Sequence, residues 1–226
     1  MAIAPLTELQ AINQMLAAVG QAPVTSIDTQ DQLYKYDPDT DSYTQLNLPT
    51  NPDVAMAQLT LFEISREVQS EGWVFNREYN YLMTPDSTTE KIAYPANCLQ
   101  MDLSNAVEHR SKYGNKDTIR RDNYLYDKTA HTDIWTEPVY CDMLWLFDWD
   151  NVPRPIQDYI INKASAIYSL RLIGDQNLYQ ALTIRSAESR ASALEYDTQQ
   201  GDYTFFGHPT GQNYYNSYQP FHTLYR

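Results

Sequence analysis

The amino-acid sequence predicts a mixed α+β fold, in which a four-helix bundle carries a β-rich insertion between its second and third helices and ends in an extended C-terminal tail. Apolar residues recur at helical spacing near both ends of the chain, whereas in the middle they recur at every second residue. The last segment has neither period. We therefore assign the helical bundle to residues 1–72 and 151–202, the insertion to residues 73–150 and the tail to residues 203–226.

The composition favours a folded protein and argues against an electrostatic nucleic-acid binder. Apolar residues make up 42% of the 226 residues, which is enough for one core with a sizeable insertion. The 29 acidic residues outnumber the 16 basic ones, so the net charge of -13 would repel a phosphate backbone. No basic and apolar leader opens the chain, and no stretch approaches the roughly 18 apolar residues of a membrane span. We expect a protein that stays in the cytosol or is packed into a particle.

The first helix is predicted from about Leu6 to Val19. Thr7 and Gln10 form a capping-box pattern at its start, and Gly20 provides its stop. Its apolar residues form one stripe: Leu9, Ile12, Leu16 and Val19. The polar stretch from Asp28 to Thr50 that follows is predicted to be a loop or a small hairpin.

The second helix is predicted to begin with Asn51 as its cap and Pro52 in its first turn, and to end at Gly72. Its apolar residues recur in a heptad-like rhythm: Val54, Ala57, Leu61, Ile64 and Val68. From Trp73 to about Asp150, alternation predicts short strands. It is carried by Leu99, Met101 and Leu103, and then by Val139, Cys141, Met143, Trp145, Phe147 and Trp149. Turns are predicted at Tyr113-Gly-Asn115 and Asp127-Lys-Thr129.

Helical spacing returns after Pro153 and Pro155 and lasts until Gly174. The apolar face of this third helix comprises Ile156, Tyr159, Ile160, Lys163, Ala164 and Ile167. Asp175 can cap a fourth helix that Gly201 ends. This helix carries one seam whose small alanines would let a neighbouring helix approach closely: Leu178, Ala181, Ile184, Ala187, Ala191 and Leu194.

The tail is rich in aromatic residues and almost free of charge. Residues 203–226 contain five Tyr, three Phe and two His, and Arg226 is the only formally charged side chain. Such a segment cannot bury its rings alone, so it either docks into grooves on another protein or packs back on its own subunit.

Three groups of side chains are candidates for a metal-binding or catalytic site. Asp37, Asp39 and Asp41 resemble the start of a calcium loop, but the sixth and twelfth positions lack the required Gly and Glu. The potential soft ligands Cys98, His109, His131 and Cys141 have no zinc spacing. The acid pairs Asp148 with Asp150 and Glu63 with Glu67 could serve as general acid and base, but such pairs arise by chance among 29 acids. We predict no catalytic, cofactor or metal site.

Several blocks of the sequence resemble the tail tubular protein A family, the head-to-tail adaptor of short-tailed, podovirus-type phages. The most specific are the opening block and the Gln-Ser-x-Gly-Trp-x-Phe-Asn block. The blocks are Glu8-Leu9-Gln10-Ala11-Ile12-Asn13 with Met15-Leu16-Ala17, Val19-Gly20 and Pro23-Val24; Ile64, Arg66, Val68-Gln69-Ser70 and Gly72-Trp73-Val74-Phe75-Asn76; Tyr124-Leu125-Tyr126-Asp127; and Asp150, Pro153, Tyr159-Ile160 and Lys163-Ala164. The segment from about Leu33 to Leu48 departs from the family pattern as an insertion.

The resemblance implies a virion protein that is made in the host cytoplasm and assembles as a ring of twelve subunits. Such a ring joins the portal protein to the nozzle, tail tubular protein B, with tail fibres around the junction, and DNA passes through its lumen without specific binding. A head-to-tail ring needs two different complementary faces, for which the alanine-lined seams and the aromatic sheet surface are candidates. By analogy with related adaptors, the tail would dock on the portal through Tyr203, Phe205, Phe206, Tyr214, Tyr215 and Tyr218.

The competing hypothesis is a glycan-degrading enzyme carried on the tail, with paired carboxylates as acid and base. A monomeric ligand-binding domain is less favoured, because no pocket-forming motif is present. The enzyme predicts that one Asp or Glu is individually essential for turnover. The adaptor predicts that loss of the tail abolishes portal binding.

Overall fold

The computed structural model describes residues 6–27, 29–37, 42–49, 51–104, 112–113 and 116–201. The helices are α1 (Glu8–Ala18), α2 (Pro52–Ser70), α3 (Arg154–Leu172) and α4 (Gln176–Gly201). The strands are β1 (Thr29–Asp37), β2 (Ser42–Pro49), β3 (Arg77–Met83), β4 (Cys98–Leu103), β5 (Thr118–Arg121), β6 (Tyr124–Asp127) and β7 (Val139–Trp145). The mixed α+β class is therefore confirmed.

The chain forms two compact units. The helical unit comprises Met1–Asn76 and Trp145–Tyr196. The strand-rich unit comprises Arg77–Leu144 and the chain from Asp197 onward, of which the structure describes only the last turn of α4.

Helix α1 begins and ends as its local sequence predicts. The Oγ1 atom of Thr7 accepts a hydrogen bond from the Gln10 amide, and Gln10 Oε1 accepts one from the Thr7 amide, which completes the capping box. Gly20 follows the helix with a φ of 79°. The buried face consists of Ala11, Ile12, Met15 and Leu16, so the predicted stripe is rotated, and its outer members Leu9 and Val19 are only half-buried.

The segment between α1 and α2 is a hairpin, which confirms the second of the two structures that its sequence allowed. Strands β1 and β2 pair antiparallel, with Thr29 opposite Pro49 and Asp37 opposite Ser42. The turn that joins them, with Asp39 and Asp41 of the calcium-like pattern, lies outside the described residues.

The core of the helical unit lies between α1, α2 and α3. Asn51 caps α2 by accepting the Asp53 amide, and the whole predicted stripe of this helix is buried. On α3, Ile156, Ile160 and Ala164 are fully buried against it. The ion pairs Arg171–Glu63 and Lys163–Glu67 cross between α3 and α2 on the solvent side.

Helix α4 joins this core by a different face from the predicted one. Asp175 caps it as expected, by accepting the Asn177 amide at 2.8 Å. Its buried side chains are Ser186 and Ala193, whereas the predicted seam is exposed apart from half-buried Leu178. The predicted buried face of α4 was therefore wrong. The side chains that point inward are small and partly polar, whereas the larger apolar side chains, on which the prediction was based, lie on the outer face.

The strand-rich unit contains a three-stranded sheet of order β3–β7–β4 and the separate hairpin β5–β6. Alternation correctly predicts the buried residues Val139, Cys141 and Met143 of β7. It fails beyond Trp145, where the strand ends, since Trp149 begins a 3-10 turn, Trp149–Asn151. The predicted turn after Asp127 is confirmed, because its buried carboxylate accepts the Thr129 amide at 2.8 Å. Residues 114 and 115 of the other predicted turn lie outside the described part of the chain.

Candidate assembly surfaces

Two buried amide side chains fix the points where the chain leaves and re-enters the helical unit. Gln69, at the end of α2, donates from Nε2 to the Phe147 carbonyl at 3.0 Å and accepts the Phe147 amide on Oε1 at 2.8 Å. Asn76 donates from Nδ2 to the carbonyls of Gln69 and Trp145, both at 2.9 Å. Both side-chain amides are fully buried, and leaving a buried amide without a hydrogen bond lowers the stability of the fold. The four backbone groups that they bind are therefore held in place.

These amides belong to the Gln-Ser-x-Gly-Trp-x-Phe-Asn block. Gly72 has a φ of 81°, a conformation that other residues rarely adopt. It turns the chain so that the Trp73 indole donates to the Val68 carbonyl at 2.7 Å and the Trp73 amide donates to Asn76 Oδ1 at 2.9 Å. The role of this block is therefore structural: it anchors the segments that lead to and from the β strands.

A third buried amide secures the beginning of the described chain. Gln157 of α3 accepts the Leu6 amide at 2.9 Å and donates to the Trp149 carbonyl at 2.9 Å. The Trp149 indole donates to the Leu6 carbonyl at 2.7 Å. This network holds the 3-10 turn that carries Asp148 and Asp150, so these two acids do not lie on a strand as the sequence predicts.

The outer face of α4 is exposed and carries the apolar seam for which the sequence predicted a contact with a neighbouring helix. Ile184 is 64% exposed, and Ala181, Ala187 and Ala191 are exposed beside it. Small side chains on one helix face allow a second helix to pack closely. The alanines of this seam are thus exposed in the part of the chain that the structure describes.

A second exposed apolar row runs along α2. Met56, Leu59 and Phe62 stand three residues apart on one side of the helix, and Leu59 is 55% exposed. The row ends at an open groove of about 440 Å³, which we call the carboxylate groove. It is lined by Thr7, Glu8, Leu9, Phe62, Asp148, Trp149 and Asp150.

A larger open groove of about 1290 Å³ separates α4 from α1 and α3. Its walls include the small residues Ala17, Ala18, Ser165 and Ser189. Arg154 in this groove pairs with Asp158 at 3.0 Å. Such a mixed, open surface lacks the enclosure of a small-molecule pocket.

In the strand-rich unit, cations stack on aromatic rings. The Arg121 guanidinium lies 3.9 Å from the centre of the Tyr126 ring, Arg120 lies 5.2 Å from that of Tyr94, and Lys116 Nζ lies 4.7 Å from that of Trp135. Sequence reasoning missed this cluster. The signal was the stretch of residues 110–121, which holds five basic residues and one acid in a chain of net charge -13.

The acid pair Glu63 with Glu67 does not have the environment of a general acid. Glu63 and Glu67 bind cations of α3, and the Arg171 hydrogen bond lowers the pKa of Glu63, whereas a catalytic acid needs a raised pKa. Hydrogen bonds also lower the pKa of Asp86, Asp133 and Glu137.

The remaining predicted sites are accounted for as follows. Cys98 and Cys141 are buried free thiols in β4 and β7, and burial raises the pKa of both. His131 is exposed in a turn, and His109 lies outside the described residues. No cluster of three or more potential metal ligands is found in the described part of the chain. The six aromatic residues expected to dock on the portal also lie outside it.

Exposed apolar and aromatic surfaces on a well-anchored α+β scaffold are typical of a structural subunit that assembles with other chains. The tail tubular protein family matches residues 41–203, which is well over half of the chain. The chain belongs to this family of phage tail proteins, and it is therefore a structural component of the virion tail that contacts other tail components. The resemblance seen in the sequence is confirmed, although the opening block lies before the matched range.

No curated protein matches the chain. In the described residues, no helix is both long and apolar enough to cross a membrane.

Proposed function

We propose that this tail tubular protein is the head-to-tail adaptor of a short-tailed phage. Made in the host cytoplasm, it forms a ring of twelve copies that joins the portal protein to the nozzle protein, with tail fibres attached around the junction. The ring extends the channel through which DNA is ejected. The observation that carries this proposal is the family match over residues 41–203, which includes the strand-rich unit and α2 to α4.

The distribution of exposed surface supports a ring. A head-to-tail ring requires two different faces on each subunit. The alanine seam of α4 and the Met56–Leu59–Phe62 row of α2 are separate exposed surfaces, and neither is buried within the helical unit.

The proposed domain organisation is a bundle of residues 1–72 and 151–202, an insertion of residues 73–150 and a docking tail of residues 203–226. The two compact units support the first two parts. We propose that α4 completes a four-helix bundle, which is supported by the burial of Ser186 and Ala193 and by the Arg190–Glu71 ion pair at 3.1 Å. The tail would dock on the portal through its aromatic residues from Tyr203 to Tyr218.

The net charge of -13 suits a DNA conduit. A wall of like charge lets a polyanion slide without binding, and 29 acids in 226 residues can provide it. DNA then passes through the lumen without specific contacts.

The test is mass photometry of the chain mixed with its portal, comparing full length with a version that ends at Gln200. Full length is expected to add twelve copies to each portal, and the truncated chain none. A truncated chain that still forms the complete ring would refute the role of the tail. A full-length chain that ignores the portal would refute the adaptor.

The glycan-degrading alternative has no support from the carboxylates described above. It is tested by incubating the full-length chain with host surface glycan, with Asp148→Asn/Asp150→Asn as the control. Turnover that this control lacks would establish the enzyme.

A further inference from the structure

The β5–β6 hairpin presents one face that combines aromatic rings with a cation. Ile119 pairs with Tyr126 across the ladder, and Arg121 pairs with Tyr124, so these four side chains share one face. We call it the hairpin face. Its tight two-residue turn is formed by Asp122 and Asn123, both with positive φ, which fixes the register of the strands.

The composition of this face is that of a protein interface. Ile119 is 46% exposed, and the Arg121 guanidinium lies over the Tyr126 ring at 3.9 Å from the ring centre. Tyr and Arg dominate interface energetics because they combine a large contact area with directional hydrogen bonds. An arginine already ordered by stacking loses less entropy on binding.

The cation of this face is not neutralised within the described chain. Lys91 at the rim pairs with Asp133 at 2.7 Å, whereas Arg121 makes no ion pair with a described carboxylate. Arg120, the preceding residue of β5, donates to Asn123 and likewise makes no ion pair with a described carboxylate. In a chain with almost twice as many acids as bases, these cations are left available for an anionic partner.

The carboxylate groove of the helical unit has the complementary character. Asp148 and Asp150 are exposed and make no ion pair with a described cation. Glu8 also lines the groove and accepts a hydrogen bond from Gln58 at 2.6 Å. Phe62, which is 43% exposed, supplies an aromatic surface at its edge.

We propose that the hairpin face of one copy docks into the carboxylate groove of the next copy in the ring. Arg121 would lie between Asp148 and Asp150 and stack on Phe62, a geometry that a planar guanidinium favours. Ile119 and Tyr126 would cover the apolar row of α2 that leads to the groove. This inference rests on the proposed ring. It assigns the α2 row and the carboxylate groove to one contact between neighbouring copies, which is separate from any contact made by the alanine seam of α4.

A second copy suits this surface better than DNA does. The hairpin face offers one arginine that pairs with no described carboxylate, and it lies among aromatic and apolar groups. DNA binding instead draws its affinity from many cations along a phosphate backbone. The groove supplies opposite charge together with exposed Phe62 and Leu59, so charge and apolar surface match at once.

Charge reversal tests the contact, with mass photometry of each variant mixed with the portal. Arg121→Glu is expected to weaken ring formation about tenfold or more, and Asp148→Lys/Asp150→Lys to do the same. Combining the three substitutions in one chain restores opposite charges across every contact and is expected to recover most of the ring. Arg77→Glu, the same change on an exposed arginine of the same unit, is expected to leave ring formation unchanged.

Each other outcome overturns the inference in a recognisable way. Ring formation by Arg121→Glu would remove the hairpin face from the contact. Loss that the combined variant fails to restore would assign Arg121 to the portal or to DNA. Absence of a ring with the unmodified chain would instead refute the proposed function. Circular dichroism checks folding, and Arg121→Gln replaces Arg121→Glu if that variant is unfolded.

Cross-linking provides an independent measurement. Arg121→Cys with Asp150→Cys in one chain, bound to the portal and treated with a short bismaleimide cross-linker, is expected to give a ladder of covalent oligomers, because the cross-linker spans the distance that the Arg and Asp side chains leave between the two cysteines. Cys98 and Cys141 are buried and should not contribute. Arg77→Cys with Asp150→Cys is the control, and an equal ladder from it would contradict the contact.

Discussion

Gln69 pairs with both backbone polar groups of Phe147, accepting its amide at 2.8 Å and donating to its carbonyl at 3.0 Å. The Gln69 side chain thus makes the two hydrogen bonds that a neighbouring β-strand would make to Phe147, which follows the end of β7. Its second donor hydrogen reaches Ser65 Oγ at 3.1 Å. Full burial and complete pairing explain why a polar residue stands at the end of an apolar helix face.

Gln69→Ala is expected to lower the free energy of unfolding by about 3 kcal/mol, because it leaves the Phe147 amide and carbonyl buried without partners. Urea denaturation followed by circular dichroism measures the change. Gln180→Ala, on the exposed side of α4, is the control and should cost less than about 0.5 kcal/mol. Equal stability of the two variants would show that the hydrogen bonds between Gln69 and Phe147 do not stabilise the fold.

Gly20→Ala is expected to cost about 1 kcal/mol through backbone strain alone, since φ is 79° and nothing lies within 4 Å of an added Cβ atom. Gly20→Asn should cost less, because asparagine tolerates this conformation better. The thermal midpoints of both variants give the comparison. A larger loss for Asn than for Ala would show that space, not φ, is limiting.

The two cysteines are expected to resist thiol reagents while the protein is folded. Burial raises the pKa of Cys141 from 9.0 to about 12, so at pH 8 its thiolate fraction falls about a thousandfold. Because the unfolded thiol ionises first, this group lowers stability as pH rises from 9 towards 12. Labelling with Ellman's reagent at pH 8, with and without denaturant, tests this. Rapid labelling of the folded chain would contradict it.

Glu63→Gln is expected to remove a small, pH-dependent contribution to stability. Arg171 lowers the pKa of Glu63 below 4.5, so the contribution is present above pH 4.5 and is lost as pH falls through the folded value. The pair is exposed, so the loss at pH 7 should be about 0.5 kcal/mol and should vanish in acid. Urea titrations at pH 7 and pH 3 measure it, with Glu188→Gln as the unpaired control.

Ala191→Arg on the α4 seam is expected to leave the folding of the isolated chain unchanged but to impair ring formation. The position is exposed, so the thermal midpoint of the isolated chain should change by less than about 2 °C. If the seam contacts a neighbouring subunit, the added side chain should block ring formation on the portal. Normal rings from this variant would exclude the seam, and Gln180→Arg on the same helix tests whether charge alone matters.

Local signals were sufficient for most element boundaries. The capping box of Thr7 and Gln10, the Asn51 cap and the Asp175 cap depend on neighbours within three residues, and all three are found. The family resemblance was likewise readable from short blocks.

Long-range pairing accounts for the features that the sequence did not predict. Alternation continues from Val139 to Trp149, but the strand stops because the Trp149 indole bonds to Leu6, 143 residues away. The inward face of α4 uses Ser186 and Ala193, which no hydrophobic pattern would select. Arg120 and Arg121 of β5 stack on aromatic rings and make no ion pair with a described carboxylate. The sequence does not predict this, because it depends on which rings and carboxylates lie close to them in the fold.

The Asn76 side chain donates to the Trp145 carbonyl at 2.9 Å. The residues that precede and follow the segment 77–144 therefore lie side by side. A segment of different length between them would meet the same two ends, because the Asn76 hydrogen bond already holds these ends together. The helical unit can therefore accept insertions of different size at this point without a change in its own core.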